Sequence, residues 1–286
     1  MTDAPRVVFQ GEPGAFSEEA VLACFGEAAA ARAVPTWRAV FESVASGTDG
    51  AGVVAIESSL AGSIRETYDL LNEFYDALVR IVGEVSVPVL LALVALPGQA
   101  LDDIERVYSH AQALAQADEF LRSRDWQVMT TYNTAGAARM IADGRELGAA
   151  AIASPRVAAI YGLDVLADNV QSGDENRTRF AVLALEENGG VAATAAPDTP
   201  RKTTLVFAVR NVPGSLHRCL GAFATRGVNL SRLESRPART ARWEYDFWVD
   251  IDADAAEPTC AAAIDDLRSE AQMVRVLGSY PRAAED

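Results

Sequence analysis

The chain has 286 residues, half of them apolar and 23% charged, the composition of a globular protein with material for one large or two ordinary domains. Its formal charge of −15 is uneven: residues 1 to 186 hold 13 basic and 26 acidic side chains, net −13, while residues 187 to 286 hold 12 and 14, net −2. A surface this acidic repels nucleic acid and anionic lipid, so neither is expected as a partner, and an anionic ligand must be held by local donors.

Val7-Val8-Phe9 predicts a short strand that runs through Gln10-Gly11-Glu12-Pro13-Gly14-Ala15-Phe16 to a helix start at Ser17, with Glu18 and Glu19 in its first turn. A strand, a glycine loop and a helix N-terminus can hold an anion or can simply turn, and the spacing is not that of a dinucleotide fingerprint. Thr36 caps a helix with Ala39, Val40, Phe41 and Val44 on one face, ending at Gly47. Gly52 to Ile56 is a buried parallel-type strand that delivers Glu57-Ser58-Ser59-Leu60-Ala61-Gly62-Ser63, ahead of a helix from Ile64 to Glu73. That loop is either a donor-rich ligand site or a multiply capped helix start.

Val85 to Leu96 reads as one buried strand; it contains Ser86 and Pro88 and is too short to span a bilayer. A turn at Pro97-Gly98 follows, then a strand at Val107-Tyr108 and a helix opened by Ser109-His110, with Gln112 and Gln116 on one face. Val128 to Tyr132 is a strand, Asn133-Thr134 starts the helix Ala135 to Ala142, and Ala149 to Ala153 is a strand ending at Ser154-Pro155 before a helix that stops at Tyr161-Gly162-Leu163. Repeated strands leading into Ser/Thr/Asn-rich helix starts build parallel or mixed sheets with ligands at strand ends. Two lobes fit this order, residues 7 to about 96 and about 98 to 167, with 168 to 186 returning to the first.

Scarce residues narrow the chemistry. Lys202 is the single lysine, so the region before it has neither a Schiff-base nor a phosphate-loop lysine; His110 and His217 are the two histidines. Cys24, Cys219 and Cys260 show no paired spacing, which indicates neither a zinc cluster nor a disulfide framework. No apolar signal segment precedes Val7, so a cytoplasmic location is expected. Hydroxyls, amides, carboxylates and arginines remain as reactive groups. They concentrate at Asp174-Glu175-Asn176-Arg177-Thr178-Arg179-Phe180, directly before the apolar strand Phe180 to Leu185. A solvated hairpin end is one reading of this stretch; the other is a strand presenting Thr178 and Arg179 to a cleft.

Glu187 to Arg201, with Gly189-Gly190, four alanines and two prolines, reads as a linker. Beyond it lie a strand at Lys202 to Val209, a helix from Pro213-Gly214-Ser215-Leu216 to Arg226, strands at Val228 to Ser235 and Glu244 to Ile251, a helix at Glu257 to Glu270 and a strand at Met273 to Gly278. The order βαββαβ is ferredoxin-like.

Five blocks in order resemble the prephenate dehydratase family: Phe9 to Ser17, Ile56-Glu57 with Ala61 to Ile64, Ser109-His110 with Gln112 to Gln116, Ala151 to Ser154 with Tyr161 to Leu163, and Thr178-Arg179-Phe180. The C-terminal part resembles an ACT regulatory domain through Pro213-Gly214-Ser215-Leu216 and Glu234-Ser235-Arg236-Pro237, motifs that in related enzymes form a phenylalanine site between subunits. The resemblance implies an α/β fold: a two-lobed, periplasmic-binding-protein-like catalytic domain (1–186), a linker (187–200) and a ferredoxin-like ACT domain (201–286). It implies decarboxylation and dehydration of prephenate to phenylpyruvate in phenylalanine biosynthesis, without a cofactor, by a homodimer or homotetramer under control of phenylalanine or a related amino acid. Thr178 would assist the departing ring hydroxyl. Glu57, Ser58, Ser59, Ser109, Gln116, Thr134, Arg179 and Phe180 would line the substrate site.

Four positions depart from the family pattern: Ser58 stands for asparagine, Arg65 for histidine, Ala111 for proline and Ala117 for cysteine. A hydroxyl does not reproduce the donor and acceptor reach of an amide. A non-aromatising prephenate decarboxylase, or a two-lobed binding or sensor protein without turnover, are therefore the alternatives, and prephenate against arogenate stays open.

Overall fold

The computed structural model describes residues 6–173, 176–191, 199–238 and 244–283. Asp174, Glu175 and linker residues 192–198 lie outside the described residues, as do 1–5.

β1 (Arg6–Gln10) buries Val7, Val8 and Phe9 and leads into α1 (Phe16–Phe25). β2 (Ala30–Val34) pairs parallel with β1 and has no counterpart in the sequence reading, because Ala30-Ala31-Arg32-Ala33 carries no apolar alternation. α2 (Trp37–Ala45) begins where Thr36 Oγ1 accepts the Ala39 amide at 3.1 Å, and it buries Val40, Phe41 and Val44 as its periodicity requires. β3 (Ala51–Ser58), the two-residue β4 (Gly62–Ser63) and α3 (Arg65–Glu73) follow.

The apolar run Val85–Leu96 is two strands, β5 (Val79–Pro88) and β6 (Ala92–Ala95), and not one. Pro88 has no amide for a ladder. Beyond it the Val89 amide donates to Asn176 O (2.7 Å) and the Leu91 amide to Gln171 Oε1 (2.8 Å), so these two amides keep partners where the backbone leaves the sheet. After this break come β7 (Arg106–His110), α4 (Ala111–Gln116), α5 (Asp118–Arg122), β8 (Gln127–Thr131), α6 (Thr134–Gly144), β9 (Ala149–Ala153), α7 (Arg156–Tyr161), β10 (Asp164–Ala167) and β11 (Arg177–Leu185). One sheet has the order β2-β1-β3-β11-β5 with β4 beside β3, and another has β10-β6-β9-β7-β8. β6 therefore moves the boundary between sheets from about 97 to the Val89–Leu91 break, while β11 returns to the first sheet as the sequence predicts. β7 is parallel to β8 and β9, and β6 is antiparallel to β9 and β10, so the second sheet is mixed.

β12 (Arg201–Ala208), α8 (Ser215–Ala224), β13 (Leu230–Pro237), β14 (Tyr245–Ile251), α9 (Pro258–Glu270) and β15 (Met273–Pro281) complete the chain. They give βαββαβ with an antiparallel sheet ordered β13-β14-β12-β15. One sheet face joins α8 and α9 in a core that includes Leu205, Phe207, Phe223, Ile251, Ile264 and Leu267. The other carries Lys202, Thr204 and Tyr280, all buried, and Arg236, which pairs with Asp69 of α3 at 2.9 Å. Gly278 of β15 is required there: a Cβ would lie 2.1 Å from Ile81 O of β5.

By packing, the chain divides into two compact units. One comprises Met1–Val40, Val53–Ile64 and Ser86–Phe180; the other Phe41–Gly52, Arg65–Val85 and Ala181–Asp286. Cys24, Cys219 and Cys260 are free and buried. Burial pushes the Cys24 thiol up to about 12 and raises Cys219 and Cys260 as well. The thiolate is the reactive form, so the folded protein should titrate none of its three thiols with an aromatic disulfide at pH 8, and all three in denaturant. A rapid thiol in the native state would contradict this placement.

Candidate active site

β11 starts at Arg177, and its first residues carry several polar contacts. The Arg177 amide donates to Ser59 Oγ (3.0 Å), and the Ser59 amide donates to Arg177 O (2.9 Å). Arg177 Nε donates to Ser86 Oγ (2.9 Å) and its Nη2 to Ser86 O (3.0 Å). Two residues on, Arg179 pairs with Glu57 of β3 at 3.0 Å. Asn176, buried, takes the Val89 amide on its carbonyl, and its side chain sits between Gln116 Nε2 and Val89 O, each at 3.5 Å. Alternation along the strand puts Arg177 and Arg179 on one face and Thr178 and Phe180 on the other. Phe180 is only 2% exposed and belongs to the core, whereas Thr178 is half-buried.

Ser58 is buried at the end of β3. Its Oγ accepts from Leu60 N (3.4 Å) and Ala61 N (3.3 Å) and lies 3.4 Å from Gln112 Nε2, so it ties its own loop to α4. Within Glu57–Ser63, Ser58 holds the turn, and Glu57 and Ser59 reach β11. Gln116 and Asn176 add a second tie to α4. Ser109 is fully buried, and its hydroxyl donates to Ile152 O of β9 at 2.5 Å. In this arrangement its only proton is committed to that carbonyl. Thr134 opens α6 beyond β8. Because β7 and β8 are parallel, with His110 opposite Thr131, Thr134 follows the same carboxyl edge as His110, although no bond joins it to the β11 group among the described residues. His110 is used as a helix cap, its Nδ1 accepting the Gln112 amide at 3.3 Å.

The Gly11–Ser17 loop proves to be a packed turn. Gly14, at φ +85°, has its amide taken by Glu18 Oε2 (2.8 Å), and a Cβ there would sit 2.8 Å from Val157 Cγ1. Arg139 pairs with Glu12 (2.7 Å), and Tyr161 donates to Pro13 O (2.8 Å), its phenol pushed up to about 12 by burial. Glu19 bonds the Ser154 hydroxyl, and burial raises its carboxyl despite that bond.

In the second unit, Gly214-Ser215-Leu216 borders a cavity of about 380 Å³ shared with Val209, Val212, His217, Tyr245 and Phe247. Gly214 has φ +82° at the start of α8. The other motif lies apart from this lining, on β13: Arg236 bonds Arg65 O and pairs with Asp69, and Glu234 pairs with Arg232. Ser235 and Pro237 are exposed.

Residues 7–188 match the family described as prephenate dehydratase, and residues 203–268 match the ACT domain. The chain belongs to the prephenate dehydratase family. It is 37% identical to an arogenate dehydratase/prephenate dehydratase of Arabidopsis thaliana over 96% of this chain and 72% of that relative. Among solved structures, the prephenate dehydratase of Arthrobacter aurescens in complex with L-Phe superposes with a TM-score of 0.81 at 32% identity, covering 97% of this chain and 90% of that one. GqqA, described as a quorum-quenching acylase, superposes with a TM-score of 0.85, also at 32% identity, covering 96% and 97%.

Arg177, Ser86, Asn176 and Gln112 bond to or around the candidate residues, and the sequence reading assigned them no site role. Asn176 and Arg177 stood within the polar stretch before β11 and were legible by position. Ser86 was not, since it lies within an apolar run and gains its partner only by strand pairing.

Proposed function

We propose that this member of the prephenate dehydratase family is a carbon–oxygen lyase that converts prephenate to phenylpyruvate. The observation that carries the reading is Thr178, half-buried at the start of β11 and flanked by Arg177, held by Ser59 and Ser86, and by Arg179, held by Glu57. In the reaction the ring–carboxylate bond breaks, releasing CO₂. Its electron pair enters the ring, and the ring hydroxyl leaves, taking up a proton to become water. Thr178 donates a hydrogen bond to the departing oxygen; with a hydroxyl's weak acidity this is stabilisation of developing charge, the proton coming finally from solvent. Arg179 meets a substrate carboxylate, and Ser59, Gln116 and Thr134 orient the substrate. Ser58, Ser109 and Phe180 serve by fixing the strand ends. No step calls for a cofactor.

In the same proposal residues 1–186 are catalytic, 187–200 link and 201–286 regulate, and the enzyme is cytoplasmic. No helix among the described residues is long and apolar enough to cross a membrane. The test is incubation with prephenate and, separately, arogenate, with products read by ultraviolet absorbance and mass. Phenylpyruvate from prephenate supports the reading. A non-aromatic product heavier by one water makes the enzyme a decarboxylase, and no turnover leaves a binding protein. The likeness to GqqA adds hydrolysis of an acyl amide as a second reading, tested in parallel by release of a free acid from an acylated amine.

The cavity beside Gly214 binds phenylalanine in this proposal, completed by β13 of a second copy in a dimer or tetramer. Val209, Val212, Leu216 and Phe247 in its lining suit an aromatic side chain, Arg210 and Glu244 suit the charged ends of an amino acid, and Gly214 allows close backbone approach. Millimolar phenylalanine should change the rate. Gly214→Ala, which strains φ +82° and places a Cβ 3.1 Å from Arg218 Nη1, should weaken binding at least about tenfold by calorimetry on the full chain. Equal affinity in the variant would show that phenylalanine does not bind in this cavity.

A further inference from the structure

Thr178 is the second residue of its strand, and strand ends fray unless something holds them. What holds this one is Arg177. Its backbone is bonded on both sides of the peptide to Ser59, just beyond β3, and its guanidinium forks onto Ser86 Oγ and Ser86 O of β5. The first sheet places β11 between β3 and β5, so Arg177 fastens the strand to both neighbours at the residue before Thr178. All four bonds are 2.9 to 3.0 Å, shorter than the 3.5 Å contacts of the Asn176 side chain one residue earlier. The planar fork matters because two parallel donors fix direction as well as distance, which a single ammonium does not. By strand alternation the Arg177 side chain points away from the face of Thr178.

We infer that Arg177 is a positioning residue for the dehydration step: the Ser59–Arg177–Ser86 clamp sets the strand start so that the Thr178 hydroxyl meets the departing oxygen. The inference rests on the proposed dehydratase reading and adds a residue whose side chain acts through another. Displacing a reacting group by about 1 Å costs up to about 10²-fold in rate. Removing the fork therefore lowers turnover more than it lowers affinity.

The experiment compares wild type, Arg177→Met, Arg177→Lys and Ser86→Ala in phenylpyruvate formation from prephenate, with hydrogen exchange of the 176–180 amides measured on the same full-length proteins. Arg177→Met, which keeps the aliphatic stem, should lower kcat about 10- to 100-fold with KM within about threefold. Arg177→Lys should recover part of that loss, and Ser86→Ala, which keeps the Ser86 carbonyl, should fall between wild type and Arg177→Met. Exchange at 178–180 should quicken in the same order. Wild-type kcat in Arg177→Met, or a loss confined to KM, overturns the inference. If Arg177→Met does not fold, Ser86→Ala decides: a kcat equal to wild type with unchanged exchange overturns the clamp, and a severalfold drop with faster exchange supports it. If wild type forms no phenylpyruvate, the dehydratase reading fails and takes the catalytic role with it, while the exchange data still report separately whether the clamp holds the strand.

Discussion

Thr178→Val should lose about 10²-fold or more in kcat for phenylpyruvate formation while substrate affinity stays within about tenfold. Valine keeps the volume and β-branching of threonine, so a half-buried position in β11 accepts it without disturbing the strand. What it removes is one O–H donor. A donor aimed at charge that develops only in the transition state contributes to kcat and little to binding, because the ground-state ring hydroxyl is neutral and already solvated. Arg179, paired with Glu57, and the Ser59–Arg177 bonds stay in place, so binding through the carboxylates should survive. Single-turnover rates and substrate affinity measured by calorimetry separate the two quantities. A variant with wild-type turnover would make Thr178 a structural residue and take away the observation on which the proposed function stands.

The fold was legible where one physical signal dominated. Val7 to Phe9, Val40-Phe41-Val44 and the βαββαβ order of the last third announce themselves through apolar periodicity and caps such as Thr36. β2 was illegible, since an edge strand of three alanines, an arginine and one valine buries too little to imprint a pattern. The Val85–Leu96 run misled for the opposite reason: both halves are core strands, so hydrophobicity is continuous across a change of sheet, and Pro88 was the one residue that marked it. At the site, residue type pointed to Thr178, Arg179 and Glu57, but type alone cannot show where a proton is already spent. Ser109 looked like a ligand hydroxyl and instead donates to Ile152 O. Phe180 follows the polar stretch in sequence and faces the core in space.

Lys202→Met should lower the unfolding free energy by about 3 to 5 kcal/mol, the largest stability loss expected of any single charge removal in the second unit. Lys202 is the chain's one lysine and is 3% exposed. Its Nζ lies 2.6 Å from Glu84 of β5 and 3.5 Å from Asp250 of β14, both carboxylates buried as well. Thr204 Oγ1 is 2.7 Å from Asp250 Oδ1 and 2.6 Å from the Tyr280 hydroxyl, and Ala283 N donates to Glu84 Oε1 at 2.9 Å. These bonds satisfy lone pairs but bring no second cation. Methionine fills the space of the lysine stem and leaves two carboxylates facing each other in a medium that solvates neither, so the loss is electrostatic and not a cavity effect. The double variant Lys202→Met with Glu84→Gln should therefore recover part of the loss, since one of the two stranded charges is gone, and the two substitutions should be strongly non-additive. Urea unfolding of the four proteins of this cycle measures both quantities. A cost below about 1 kcal/mol for Lys202→Met, the range of exposed ion pairs, would show that solvent reaches the cluster and that the sheet face carrying Lys202 is not sealed against β5.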